Sequence, residues 1–118
     1  MKNIILLVAV MVVSACASMP TVKSVAGTYE IKRGENTFRM VLLENGVVEG
    51  YINGENEVLE GKWKLTKEGE IHASDSHGNI LVCRINKDGS ITRIASIDKD
   101  GERKEVPKDK QNTLKKIK

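Results

Sequence analysis

From position 25 to the C-terminus, apolar residues recur at every second position in short blocks. Val25, Gly27, Tyr29 and Ile31 share one side against Thr28, Glu30 and Lys32 on the other. Leu59, Gly61, Trp63 and Leu65 oppose Glu60, Lys62 and Lys64, and Ile71 and Ala73 oppose Glu70, His72 and Ser74 in the same way. A period of two places alternate side chains on opposite faces of a pleated strand, one dry and one wet, as in an antiparallel sheet. The blocks are separated by turn pairs at Arg33-Gly34, Asn45-Gly46, Asn53-Gly54, Glu68-Gly69, His77-Gly78, Asp88-Gly89 and Asp100-Gly101. Glycine preceded by Asn or Asp accepts the positive φ that tight hairpins require. The pattern predicts strands over 25–33, 37–44, 47–53, 56–66, 70–75, 79–86, 91–98 and 102–106, with 112–117 offering one more. Sequential hairpins set neighbours side by side, and closing such a meander removes exposed sheet edges. The expected fold is all-β, a small up-and-down antiparallel β-barrel of about eight strands, with an open sandwich as the alternative.

The barrel interior is expected to hold Tyr29, Ile31, Phe38, Met40, Leu42, Leu59, Trp63, Leu65, Ile71, Leu81, Cys83 and Ile85. An eight-stranded interior is just wide enough for side chains to fill or for one small ligand; a packed core is favoured over a cavity. Two strands are apolar on both faces, with Val41 and Leu43 opposing Met40 and Leu42, and Ile80 and Val82 opposing Leu81 and Cys83. The second face requires a cover, either the C-terminal segment or a partner.

The N-terminus follows a different pattern. Lys2 precedes an unbroken apolar run over 4–13, followed by Ser14, Ala15 and Cys16, the layout of a secretory signal. The run is far shorter than the roughly 20 residues needed to cross a bilayer core. Val13-Ser14-Ala15-Cys16 resembles the bacterial lipobox: an aliphatic residue, two small residues and the cysteine that is lipidated before cleavage on its N-terminal side. A thiol is the side chain suited to forming a thioether with a diacylglycerol. The chain therefore divides into a signal peptide at 1–15, a lipidated Cys16 and tether at 16–24, and a barrel domain at 25–118. Two or more acyl chains anchor stably where one does not, so the implied partner is a membrane. Ala17 stands where an Asp would resemble an inner-membrane retention signal, which favours the periplasmic face of the outer membrane over the inner membrane. The tether extends to at most about 25 Å at roughly 3.3 Å per residue.

Composition adjusts this picture in three places. Residues 103–118 carry seven basic and two acidic residues, whereas 17–102 carry eleven basic and fourteen acidic, so a basic tail follows a mildly acidic body. Glu105 and Asp109 interrupt that tail and no aromatic-interleaved stretch supports base stacking, so no nucleic-acid partner is expected. With Cys16 lipidated, Cys83 has no partner for a disulfide and is expected as a buried small hydrophobe. His72, Asp75 and His77 form the one weak metal candidate, chemically adequate for zinc or copper. Residues five apart on a continuous strand face opposite ways, so a surface hairpin is the favoured reading and no cofactor is expected. Ser74 and Ser76 lie near His72 and Asp75, but neighbours in sequence do not make an oxyanion hole, and no enzyme activity is expected.

Gly27-Thr28-Tyr29, Leu42-Leu43-Glu44-Asn45-Gly46, Gly61-Lys62-Trp63 and Ile97-Asp98-Lys99-Asp100-Gly101 together resemble the N-terminal barrel domain of the copper-resistance (NlpE-type) envelope lipoproteins. Lipocalin-like barrels share the Gly-x-Trp or Gly-x-Tyr opening. The resemblance implies a lipocalin-like barrel and, by kinship, metal handling or envelope sensing. The chain departs from that family where a Cys-x-x-Cys would follow the opening motif: Ile31-Lys32-Arg33-Gly34 stands there, with no thiol pair to hold soft Cu(I). The expected role is a membrane-anchored, non-catalytic binding or adaptor module with an envelope protein partner. The alternative is a carrier or sensor of a small hydrophobic ligand or metal.

Overall fold

The computed structural model describes residues 20–118, with the backbone alone at 55–59. The expected signal peptide, Cys16 and the start of the expected tether lie outside the described residues. A short helix α1 (Val22–Val25) is followed by β1 (Gly27–Arg33), β2 (Asn36–Leu42), β3 (Val47–Ile52), β4 (Glu55–Leu65), β5 (Glu70–Ser74), β6 (Ile80–Ile85), β7 (Ile91–Ile97), β8 (Arg103–Glu105) and β9 (Thr113–Lys116). Strands β1 to β7 pair antiparallel in sequence order. β9 then runs between β7 and β1, setting Leu114 beside Ile91 and Lys116 beside Tyr29. Eight strands thus close an antiparallel barrel of the lipocalin-like kind, and β8 is an extra strand.

The closing strand is the ninth, the one the apolar pattern marked only as an extra. β8 is Arg-Lys-Glu, exposed throughout, with nothing to put inside a barrel. β9 brings Leu114, which is 5 % exposed and joins the core. Both strands share one edge of β7: β9 pairs at Ile91 and Thr92, and β8 at Ala95, Ser96 and Ile97. The β6–β7 register slips between the two, Val82 facing Ala95 and Cys83 facing Arg93, which leaves Ile94 as a bulge. A bulge bends its strand and sharpens the twist, and here it falls where β7 exchanges one neighbour for the other.

Strand β1 starts at Gly27, two residues later than the alternation predicts, because 22–25 fold as a helical turn. Thr21 caps it reciprocally with Ser24, each side chain taking the other's backbone N–H. Val25 is buried, the Tyr29 hydroxyl donates to its carbonyl at 2.5 Å, and Lys116 Nζ donates to the Ser24 carbonyl at 2.8 Å. The turn therefore plugs the barrel end at which the chain enters. Tyr29, Met40, Leu42, Val48, Trp63, Ile71, Cys83 and Ile91 fill the space behind it, with Ile31, Phe38, Leu65, Leu81 and Ile85 packed against them.

Five hairpin loops repeat one design. At Leu43, Thr66, Asp75, Asn86 and Asp98, the residue just before the loop accepts from a glycine three positions on and donates to the residue after that glycine. This is a three-residue loop with a left-handed glycine. The two exceptions are two-residue loops: Gly34-Glu35, with φ 61° at Gly34 alone, and Asn53-Gly54, where φ is 52° and 87°, the two positive angles of a type I′ turn.

Candidate functional site

Strand lengths leave the barrel wall incomplete at the end away from α1. β4 runs over Glu55–Leu65, but its ladder with β5 begins only at Lys62, opposite Ser74. It pairs with β3 at Glu55 and again over 59–61, with a register irregularity between, and among the described residues it has no strand on its other side there. Gly61 marks the divergence: a Cβ there would lie 1.7 Å from the Ser74 carbonyl oxygen, so the β5 backbone turns across β4 at a position only glycine leaves open. Trp63 donates its backbone N–H to Gly46 on the β3 side. By alternation the N–H and C=O of Glu60 point the other way, toward the missing neighbour. Glu60 stands opposite Glu49 on β3.

A cleft of about 230 Å³ lies in the barrel mouth at this end. Phe38, Ala73 and Leu81 give it an apolar floor, and Asp75, Arg93 and Ser96 stand around it. Arg93 arrives there through the β7 bulge. Burial pushes the Asp75 carboxyl up, but the backbone N–H groups of Asn79 and His77 donate to it and hold it below the ordinary carboxylate value. The cleft falls short of the roughly 300–1,000 Å³ of small-molecule pockets.

A larger recess, about 760 Å³, lies outside the barrel on the outer faces of β1, β2 and β3. Two pairs of its polar groups are engaged with one another: Arg39 bridges Glu30 at 2.7 Å, and the Tyr51 hydroxyl donates to Glu49 at 3.0 Å. On the opposite flank, Arg103 of β8 reaches Glu70 of β5 with both terminal nitrogens at 3.2 Å, and Glu105 lies 2.9 Å from its Nε. The bridge joins β8 to β5 on the face where Val82 of β6 and Ala95 of β7 are fully buried. Val82, on the outer face of the doubly apolar β6, is covered in the folded chain. Val41 is half-buried and Leu43 is 37 % exposed, so the outer side of β2 has no such cover.

The structure separates the residues that sequence spacing grouped. His72 lies on the outer face of β5, with Nε2 3.2 Å from Glu70. Asp75 is spent on the hairpin loop, and the His77 ring is 3.3 Å from the Ser76 hydroxyl. No group of three His, Cys, Asp or Glu side chains converges among the described residues. Ser74 donates its hydroxyl to the Lys62 carbonyl. Cys83 is fully buried in the core and burial pushes its thiol up to about 12, with Arg93 pulling weakly the other way.

The free β4 edge and the mouth beside it were not singled out by sequence reasoning, although a signal existed. The predicted strand over 56–66 is nearly twice as long as its partner over 70–75, and a mismatch of that size leaves an edge unpaired. No helix of the described residues is long and apolar enough to cross a membrane. No protein-family model, curated protein or solved structure gives a significant match to this chain.

Proposed function

We propose that the chain is an envelope lipoprotein whose barrel works as a non-catalytic adaptor, held at a membrane by a lipid on Cys16 and engaging a protein partner through its outer surface. One observation carries the reading: the barrel interior is occupied by its own side chains, with Tyr29, Met40, Leu42, Val48, Ile71, Cys83 and Ile91 at 2 % exposure or less. A barrel filled in this way has its chemistry on its rims and outer faces. The lipobox-like Val13-Ser14-Ala15-Cys16 supports the anchor, and Ala17 favours the outer membrane. The kinship proposed is with NlpE-type lipoproteins, on the motifs quoted above and without their thiol pair.

The entry geometry gives the anchor a consequence. α1 plugs the end at which the chain arrives, and Thr21 lies five positions after Cys16, at most about 17 Å at roughly 3.3 Å per step. The plugged end then faces the membrane and the open mouth faces away from it. The test is photo-cross-linking in intact cells, with the reactive group placed in turn at Asn79, Tyr51 and Lys99. The adaptor reading expects one specific adduct from a defined subset of positions, and repeated absence of any adduct contradicts it. A hydrophobic guest in native mass spectra would favour the carrier alternative instead.

A further inference from the structure

We infer that the unpaired edge of β4, with the cleft beside it, receives an extended, positively charged segment of a partner protein as an added β-strand; this rests on the adaptor reading and names its surface. Three independent features meet at this place. The edge over 59–61, held in register by β3, presents the N–H and C=O of Glu60 with no strand opposite them among the described residues, which is where strand addition can start. The cleft floored by Phe38, Ala73 and Leu81 lies in the barrel mouth at the same end, between β2 on one side and the β5–β6 hairpin and β7 on the other. An inserted strand would complete the wall there and turn alternate side chains inward onto that floor.

The third feature selects the partner. The edge sequence Glu55-Asn56-Glu57-Val58-Leu59-Glu60-Gly61 carries three glutamates and no lysine or arginine, and Glu49 stands directly across from Glu60. A second copy of the chain, pairing edge to edge, would oppose acid with acid. Like charges directly opposite destabilise a strand pair, whereas opposite charges support it. The complementary strand sets a basic residue outward beside Glu60 and Glu49 and apolar residues inward. At 230 Å³ the cleft has room for side chains rather than for a large free ligand.

The experiment uses the chain from residue 17 onward in isotope-labelled form, titrated with a short end-blocked peptide of alternating lysine and valine and with its glutamate-for-lysine counterpart. The cationic peptide is expected to bind, to slow amide exchange at Glu60, and to shift resonances of Phe38, Ala73 and Leu81. Glu60→Pro removes one N–H that faces the gap and no N–H of the β3 ladder, and proline is tolerated at such edges. With the thermal midpoint retained, Glu60→Pro should weaken the cationic peptide by about tenfold or more. Glu60→Lys should weaken it likewise and improve the acidic peptide.

The proposal is overturned if neither peptide binds at millimolar concentration, if both bind alike, if protection appears on β1 to β3 or in the tail instead, or if Glu60→Pro leaves affinity unchanged. A concentration-dependent dimer abolished by Glu60→Pro would assign the edge to a second copy and also overturn it. Each of these results leaves the adaptor reading to stand or fall on the cellular cross-linking.

Discussion

At the scale of single residues, two positions have functions that their chemical type alone would not suggest. Gly61 is required by the passage of the Ser74 carbonyl 1.7 Å from where a Cβ would sit. Backbone cannot yield as a flexible side chain can, so Gly61→Ala should destabilise the fold by about 1–3 kcal/mol or more, read as a lowered midpoint in urea denaturation. Cys83 is the second. Its thiol is buried and held up to about 12, so it carries essentially no thiolate at neutral pH. A thiol reagent should modify the folded domain only at the rate of its unfolding and modify denatured protein at once. Rapid labelling of the native chain would contradict the core placement.

At the scale of elements, the strands were legible because period two and the turn glycines act locally. β2 to β7 fall within two residues of their predicted bounds. The twelve interior positions read from alternation were right wherever side chains are described, from Tyr29 to Ile85. Closure was less legible, because it depends on which distant strand reaches β1. Leu114 alone among the residues of β9 is buried, and one apolar residue in a basic tail is a weak periodic signal. Val25 likewise reads as a strand position by alternation, yet the Thr21–Ser24 capping box draws it into a helical turn. The candidate site was least legible: an unpaired edge is a relation between two strand lengths and belongs to no single motif. The closing strand yields a direct expectation. Leu114→Ala should cost about 2–4 kcal/mol and should raise amide exchange selectively along the β1–β9 and β7–β9 seams. Uniform destabilisation with no local change at those seams would show that closure does not depend on this contact.

At the scale of the whole molecule, charge ties the extra strand to the barrel. Glu70 accepts from Arg103 and His72, and the Arg103 contact is the main cause that holds its carboxyl below the ordinary 4.5. A carboxylate depressed by folding stabilises the native state above its unfolded pKa, and that stabilisation is lost as pH falls through the folded value. The pair is partly exposed, so its contribution is less than about 1 kcal/mol and shrinks with salt. Arg103→Ala should therefore reduce stability at pH 7 and flatten the decline of stability below pH 4.5, as followed by thermal melts across pH. An unchanged acid profile would show that the bridge does not couple β8 to β5.

At the same scale we propose one arrangement: a barrel filled by its own core, plugged at the end where the chain enters, and tethered there by the proposed lipid on Cys16 so that its open end faces away from the membrane. The most direct measurement is the mass of the N-terminal peptide of mature protein extracted from membranes in detergent. The account predicts a peptide that begins at Cys16 and carries diacylglycerol on its sulfur. A mature chain that begins at any other residue, or at an unmodified Cys16, would contradict it.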